Sequence, residues 1–161
     1  MKPITPCLWF KNDDALAAAT MYAELFDDGE ILQVSYSAAD NPSSKEGGVL
    51  AVRFRANGTE FTALNSSPHQ FSDALSLQID AESQEHADRL WHGLVNGGES
   101  IGCGWLRDRF GVTWQVNPPG VSALIDGPDR DGSARAMHAM GGMQRVDVAV
   151  LQRAYDGVDL H

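Results

Sequence analysis

The sequence has few cysteines and few basic residues. Cys7 and Cys103 are the only cysteines among 161 residues, too few for a disulfide framework. Lysine and arginine number 12 against 22 acidic residues, which gives a formal net charge of −10. Because such a charge repels phosphate groups, we expect neither nucleic acid nor an anionic membrane as a partner.

Long hydrophobic runs are also missing. The residues after Met1 offer only the short apolar run Leu8-Trp9-Phe10, so we expect no signal peptide and no transmembrane segment. A cytoplasmic protein with both thiols free is the prediction. Hydrophobic residues at 43% and charged residues at 21% are typical of a globular protein, and the length fits one domain over 1–161.

An internal repeat organises the chain. Amphipathic patterns predict helices over Asp13–Phe26 and Ser83–Val95, each followed by a glycine stop. Residues of matching size and polarity recur at a spacing of 69 through a strand, a helix and its stop. The matching pairs are Leu8/Leu77, Phe10/Ile79, Ala18/Ala87, Tyr22/Trp91, Leu25/Leu94 and Gly29/Gly98.

Alternating residues predict strands after each helix. Asn57-Gly58 is typical of a hairpin turn, and Phe110-Gly111 is the predicted counterpart in the second copy. The spacing there falls to 53, so the second copy is 16 residues shorter upstream of its hairpin. The difference corresponds to the polar segment Ala39–Gly48, which we expect to be a mobile loop.

The alternation divides the strand residues between two faces of a sheet. The face against the helices is predicted to hold Leu8, Phe10, Phe61, Ala63, Leu75, Leu77, Ile79, Trp114 and Val116. The opposite face is predicted to hold Cys7, Trp9, Glu60, Thr62, Leu64, Ser76, Gln78, Thr113, Gln115 and Asn117. This second set suits either a solvated surface or the lining of a ligand cleft.

Three segments carry a resemblance to a known family: MYAELFDDG (21–29), CGWLRDRFGVTWQVNP (103–118) and RVDVAVLQRAYDG (145–157). With the repeat, they make the chain similar to the PhnB-like branch of the vicinal oxygen chelate superfamily, which includes glyoxalase I and bleomycin resistance proteins. Some members carry the label 3-demethylubiquinone-9 3-methyltransferase. The resemblance implies an α+β fold, two βαβββ modules forming a glyoxalase-like half-barrel cleft, and a homodimer.

We place the modules at 1–66 and 73–118 and a helical tail at 119–161. Two helices are predicted in the tail, over Ser133–Met140 and Val146–Tyr155. Met137, Met140 and Met143 are clustered between glycine-rich breaks and are expected to pack in a core, over the cleft or against a partner chain.

The resemblance also implies where a metal would bind. Its four ligand positions fall at Cys7, Thr62, Ser76 and Gln115 in this chain. Only Gln115 is an ordinary ligand of that group, since hydroxyls are poor donors for a divalent metal. We therefore predict no metal and no other cofactor, with a divalent metal as the alternative. The histidines form no cluster at ligand spacing: His69 lies in the linker, and His86, His92 and His138 lie on helices.

Two residues are candidates for catalysis. Glu60 is the carboxylate on the cleft-facing list and is a candidate general base, although a glutamate after a hairpin turn is usually solvated. Cys7 is a candidate nucleophile, although no histidine lies near it in sequence. Cys103 is likewise either a reactive thiol or a buried cysteine that packs as a small hydrophobic residue. For ligand binding, we predict Trp9, Thr62, Ser76, Gln78, Trp105, Thr113 and Gln115.

Three functions follow. The first is a metal-independent small-molecule-binding protein, and the second is an enzyme of the glyoxalase/lyase or methyltransferase type. The third is a non-catalytic dimeric scaffold. A methyltransferase needs a glycine-rich turn after a strand to hold its cofactor, and the glycine pairs of this chain occur as helix stops or loops. Whether the protein catalyses a reaction is left open by the sequence.

Overall fold

The computed structural model of the protein describes residues 3–65 and 70–158. His69, a residue considered above, lies outside them. The chain divides into two compact units, Met1–Phe71 and Ser72–His161. Each unit contains one four-stranded sheet and one βαβββ module, so the predicted α+β fold and the duplicated module are confirmed. The assignment of a single domain to 1–161 stays a prediction.

The first unit contains one helix and four strands. They are β1 (Cys7–Phe10), α1 (Ala15–Leu25), β2 (Glu30–Tyr36), β3 (Val49–Ala56) and β4 (Thr59–Asn65). The strand order is β1-β4-β3-β2, in which β1 and β4 are parallel and the other neighbours antiparallel.

Aromatic side chains hold α1 against its sheet. Tyr22 is fully buried and lies 5.7 Å, between ring centroids, from Phe54, which stacks on Phe61 at 5.2 Å. The Asn57-Gly58 hairpin is confirmed: both residues have positive φ, 48° and 72°, as a two-residue turn between twisted strands requires.

The second unit begins with the corresponding module. It consists of β5 (Leu77–Asp80), α2 (Gln84–Val95), β6 (Glu99–Gly102), β7 (Trp105–Arg107) and β8 (Thr113–Asn117), in the order β5-β8-β7-β6. Ser83 caps α2, since its Oγ accepts a hydrogen bond from the His86 backbone N–H at 3.0 Å. The helix buries Ala87, Leu90, Trp91 and Leu94.

The second hairpin differs from its prediction. Arg107 pairs with Thr113, so five residues rather than the two-residue turn at Phe110-Gly111 connect the strands. The buried Asp108 carboxylate holds this loop by accepting hydrogen bonds from the backbone N–H groups of Phe110 and Val112 and from the Trp114 indole. A buried carboxylate that accepts several hydrogen bonds stabilises a tight loop without a short turn.

The strand register differs as well. Leu8 pairs with Ala63 in the first sheet, whereas its counterpart Leu77 pairs with Trp114. With the spacing of 53, the counterpart of Ala63 is Val116, so Leu77 would be expected opposite Val116. The observed partner, Trp114, is two residues earlier, so the register of the second sheet is shifted by two residues relative to the first. Because side chains alternate with a period of two, the shift leaves every residue on the predicted face.

Burial confirms most of the predicted helix-facing set. Leu75 is exposed at 69%, because it precedes β5 and lies outside the sheet, and Leu77 at the start of β5 is half-buried. On the opposite face, Thr113 differs from the other polar residues because it is buried, with 1% exposure.

The tail contains three helices rather than the predicted two: α3 (Val121–Ile125), α4 (Arg130–Gly141) and α5 (Val148–Asp156). α3 was missed because five residues are too short for a periodic signal. The tail has its own core of Val121, Leu124, Ala136, Val146 and Leu151, and Met140 and Met143 pack against it. Met137 is 56% exposed, so packing in a core is wrong for this methionine, while packing against a partner chain stays a prediction.

Backbone hydrogen bonds join the tail to the module that precedes it. The Cys103 and Gly104 N–H groups donate to the carbonyls of Met143 and Gln144 at 2.7 and 2.8 Å. The Gln84 amide on α2 donates to the Val146 carbonyl and accepts from the backbone N–H two residues later, each at 2.9 Å. The tail and the second module are therefore one packed unit.

None of the helices within residues 3–65 and 70–158 has the length and apolar character needed to cross a membrane.

We predict that Asn65→Ala destabilises the protein by about 2 kcal/mol, since it leaves two buried backbone groups unsatisfied. Asn65 is 1% exposed; its side chain accepts from the Ala15 N–H at the start of α1 and donates to the Val49 carbonyl. Urea unfolding measures the change. The control Asn96→Ala alters an exposed asparagine, and equal effects of the two variants would contradict the prediction.

Candidate functional site

The open face of the second sheet presents a row of polar side chains. Gln78 on β5 pairs with Gln115 on β8, which pairs with Trp105 on β7. Asp80 and Asn117 form the next pair along the same strands. Because these residues share one parity, all five side chains project from the face opposite α2.

A cavity of about 590 Å³ lies over this face. It is lined by Gln78, Asp80, Cys103, Trp105, Gln115, Asn117, Pro118, Pro119, Gly120, Val121, Ser122, Ala123, Ile125 and Met140. The sheet supplies the polar side chains, and the tail supplies most of the apolar ones. A cavity of this size and mixed lining is typical of a site for a small organic molecule.

Hydrogen bonds orient the amide groups of the lining. The Gln78 Nε2 donates to both oxygens of Asp80, at 3.1 and 3.2 Å, and the Asn117 Nδ2 donates to Asp80 Oδ1 at 3.2 Å. The Gln115 Nε2 donates to Ser76 Oγ at 2.7 Å. Each amide nitrogen has a partner, but an amide has two N–H donors and one carbonyl acceptor, so the lining offers a ligand both kinds of group.

Three of the predicted ligand-binding residues line this cavity: Gln78, Trp105 and Gln115. Ser76 contacts it indirectly, as the hydrogen-bond partner of Gln115. Thr113 does not line it, because its buried hydroxyl donates to Asp73 Oδ1 at 2.7 Å. Asp73 is itself held by the Arg107 guanidinium at 2.7 and 2.9 Å.

Of the other candidates, Cys103 lines the cavity, and the rest lie on the open face of the first sheet. Cys7 pairs with Thr62, and Trp9, two residues along β1, is 40% exposed. The Glu60 carboxylate lies 2.7 Å from the Arg53 guanidinium and 3.6 Å from that of Arg55. The structure thus places Glu60 in a solvated ion-pair cluster, whereas a general base needs a dry environment that favours its protonated form.

Cys7 lacks the surroundings of a reactive cysteine. Partial burial of its sulfur raises the pKa of the Cys7 thiol above its ordinary value of 9.0, and a hydrogen bond with Trp9 offsets only part of that effect. The thiolate, which is the nucleophilic form, is therefore scarce near neutral pH.

The four positions implied for a metal do not make a suitable donor set. Cys7 and Thr62 are neighbours in one sheet, and Ser76 and Gln115 are hydrogen-bonded in the other, so each pair offers a hydroxyl as one of its two donors. Within the described part of the chain, no group of three or more His, Cys, Asp and Glu side chains lies close enough to hold a metal ion. The residues present do not fit a divalent cation.

Several lining residues were missed by the sequence analysis as site residues. Asp80 and Asn117 follow Gln78 and Gln115 by two positions, so the alternation of the strands was the signal for both. Ile125 and Met140 carry no such signal, because their position depends on how the tail packs against the sheet.

Comparisons with known proteins show the family. The family model described as 3-demethylubiquinone-9 3-methyltransferase matches residues 2–117. The chain belongs to this family. A solved structure of a putative 3-demethylubiquinone-9 3-methyltransferase, PhnB protein, from Bacillus cereus is 33% identical, with a TM-score of 0.64, over 72% of this chain and 98% of that one.

Another solved structure shares the fold. Protein PA1353 from Pseudomonas aeruginosa is 22% identical, with a TM-score of 0.56, over 73% of this chain and 97% of its own. No curated protein matches the chain. The resemblance to the PhnB-like family is thus confirmed, while the homodimer and the cytoplasmic location stay predictions.

The family match ends at Asn117, so the tail lies beyond it. The part of the cavity lining from Pro118 to Ile125, together with Met140, therefore comes from residues outside the match to the family model. The solved relatives use almost all of their own length in the match and leave more than a quarter of this chain uncovered.

The family description does not establish methyl transfer as the reaction of this chain. A methyltransferase needs a second site that holds the cofactor donating the methyl group. Such cofactors are commonly held by a glycine-rich turn between a strand and the following helix. The connections 11–14 after β1 and 81–83 after β5 contain no glycine, and 118–120 after β8 contains a single one, so none is glycine-rich. These residues do not fit the cofactor that a methyltransferase would use.

We expect the contacts of Asp73 with Arg107 and Thr113 to lose their stabilising effect in acid. The Arg107 guanidinium, and then the Thr113 hydroxyl, lower the pKa of the Asp73 carboxyl below its ordinary value of 3.8. A lowered pKa means that the contribution to stability is present above the unfolded-state value and is lost as the pH falls through the folded-state value. Urea unfolding should show Asp73→Asn to be less stable than wild type at neutral pH, with the difference vanishing below 3.8. A difference that is constant with pH would contradict this account, and Glu82→Gln is the control for an exposed carboxylate.

We predict that Cys7 reacts slowly with iodoacetamide near neutral pH, because its pKa is raised above 9.0. The alkylation rate of a Cys103→Ser variant, followed by mass spectrometry against pH, isolates Cys7. Its midpoint should lie above that of a free cysteine peptide. A midpoint below the peptide's would reinstate Cys7 as a candidate nucleophile.

Proposed function

We propose that the protein binds a small organic molecule in the cavity over the second sheet and does so without a metal ion. The observation that carries the proposal is the cavity itself, in which Gln78, Gln115 and Trp105 form one cross-strand row beneath a cover supplied by the tail. Membership of a superfamily whose folds host ligand clefts supports this function.

Two glutamines of the lining are oriented by hydrogen bonds within the protein. Gln78 and Gln115 are fixed by hydrogen bonds to Asp80 and Ser76, so their orientation is set before a ligand arrives. Groups that are already ordered lose less conformational entropy when they bind. The indole of Trp105, next to Gln115 on the neighbouring strand, offers a flat apolar surface for the rest of the ligand.

The same lining gives little support to catalysis. Asp80 is its one carboxylate, it is exposed, and it accepts hydrogen bonds from two amides. An exposed carboxylate between neutral amides lacks the desolvated surroundings that are typical of a general base. Binding without chemistry is the function that these contacts favour.

A variant that fills the cavity tests the proposal. We expect Ala123→Phe to abolish binding, since Ala123 lines the cavity from an exposed position on α3 where the larger side chain does not disturb a core. Native mass spectrometry of protein purified without chelator, with elemental analysis, should show an organic adduct on wild type, no adduct on Ala123→Phe, and no stoichiometric metal.

The matched control is Ala149→Phe, which adds the same group at an exposed position of α5 outside the lining. It should keep the adduct. If the purified protein carries none, saturation-transfer NMR with a mixed set of small aromatic compounds replaces the adduct as the readout. A stoichiometric divalent metal, binding that Ala123→Phe leaves intact, or no binding in either measurement would contradict the proposal.

A further inference from the structure

Asp80 is held at the edge of the cavity by side chains that are themselves part of the lining. The Gln78 amide donates to both of its oxygens and the Asn117 amide to one, at distances of 3.1 to 3.2 Å. These are long hydrogen bonds to neutral donors, and they orient the carboxylate without neutralising it. The donors bring no positive charge to Asp80, and its oxygens keep lone pairs for a further donor at the cavity.

No positive side chain opposes that charge. Of the residues that the structure describes, those lining the cavity include no Lys, Arg or His. Elsewhere on the described strands, Arg53, Arg55 and Arg107 each pair with a carboxylate. Asp80 differs from those carboxylates because its partners are amides, so its counter-ion has to come from solvent or from a ligand.

The amides are compatible with the same preference. Gln78, Gln115 and Asn117 direct nitrogen atoms to Asp80 or Ser76, and their carbonyl oxygens are hydrogen-bond acceptors. A ligand with N–H donors and a positive charge meets the Asp80 carboxylate beside these acceptors, whereas an anion meets a carboxylate of its own sign. The net charge of −10 acts in the same direction.

The apolar part of the lining fixes the rest of the ligand. Trp105, Ile125 and Met140 all line the cavity and offer flat or flexible apolar contact. An indole face also attracts a cation that lies over it. The cavity thus combines one anionic group with an apolar surface, a pairing that suits an amine attached to an aromatic or aliphatic body.

We propose that the cavity selects protonated amines with an apolar body, with Asp80 as the counter-ion of the ammonium group. The proposal rests on the proposed function, since it names the ligand class of the same cavity. Asp80 is the specificity-determining residue, and Gln78 and Asn117 position its carboxylate.

Three indole compounds of matched size test this proposal: tryptamine, which is cationic near neutral pH, indole-3-ethanol, which is neutral, and indole-3-acetate, which is anionic. Their affinities are measured by two-dimensional ¹H–¹⁵N NMR titration of the full chain. Tryptamine should bind more tightly than the neutral compound, with shifts at Gln78, Asp80 and Trp105, and indole-3-acetate should bind most weakly.

Variants separate charge from shape. Asp80→Asn keeps the size of the side chain and an acceptor for the two amides, and should weaken tryptamine binding about fivefold while leaving indole-3-ethanol unchanged. Glu82→Gln removes the same charge two residues away, at an exposed position outside the lining, and should change neither. Thermal unfolding of both variants reports whether Asp80 acts on stability instead.

The outcomes are distinct. Equal or tighter binding of the anion, or unchanged tryptamine affinity in Asp80→Asn, overturns the charge preference but leaves a binding cavity. Loss of all three affinities in Asp80→Asn with lowered thermal stability assigns Asp80 a structural role and also overturns it. If none of the three compounds shifts the cavity residues at about 10 mM, both the preference and the proposed binding function fail.

Discussion

The parallel pairing of the first and last strand of each module determines the rest of the structure. It places residues of equal parity side by side, so the pairing of Gln78 with Gln115 fixes which side chains face the helix and which face the cavity. A slip of one residue would exchange the two faces. The observed shift of two residues between the modules keeps every side chain on the same face. It changes only which polar residues of the two parallel strands lie opposite each other.

The tail turns an open sheet face into a cavity, and its contact with the module depends on the turn at Cys103-Gly104. Both residues have positive φ, 54° and 83°, and both donate backbone hydrogen bonds to the tail. A Cβ at Gly104 would lie 2.8 Å from Val146 Cγ2 and 3.0 Å from the Val116 carbonyl oxygen, so only glycine allows this approach. The short β6–β7 connection therefore serves as the docking point for α3 to α5.

Local patterns in the sequence predicted the duplicated module, its helices and most of the buried face, because each depends on periodicity over a few residues. Leu75 was misplaced because alternation was extended past the end of β5. The burial of Thr113 depends on Asp73, 40 residues away, which no local pattern reveals. The ion pairs of Glu60 are local by contrast: Arg55 lies opposite Glu60 across the Asn57-Gly58 hairpin, so the predicted turn already implied this pairing.

The two modules share a fold but present different chemistry on their open faces. The first has guanidinium groups paired with Glu60 and Glu30, charges that satisfy each other in solvent. The second has amides that orient Asp80 and leave it without a cationic partner, beneath a cover that the family match does not contain. Membership of the family accounts for the fold of the module. The residues that would recognise a ligand lie instead on the strands of the second module and in the tail. Function in this chain therefore has to be argued from that cavity and not from the description of the family.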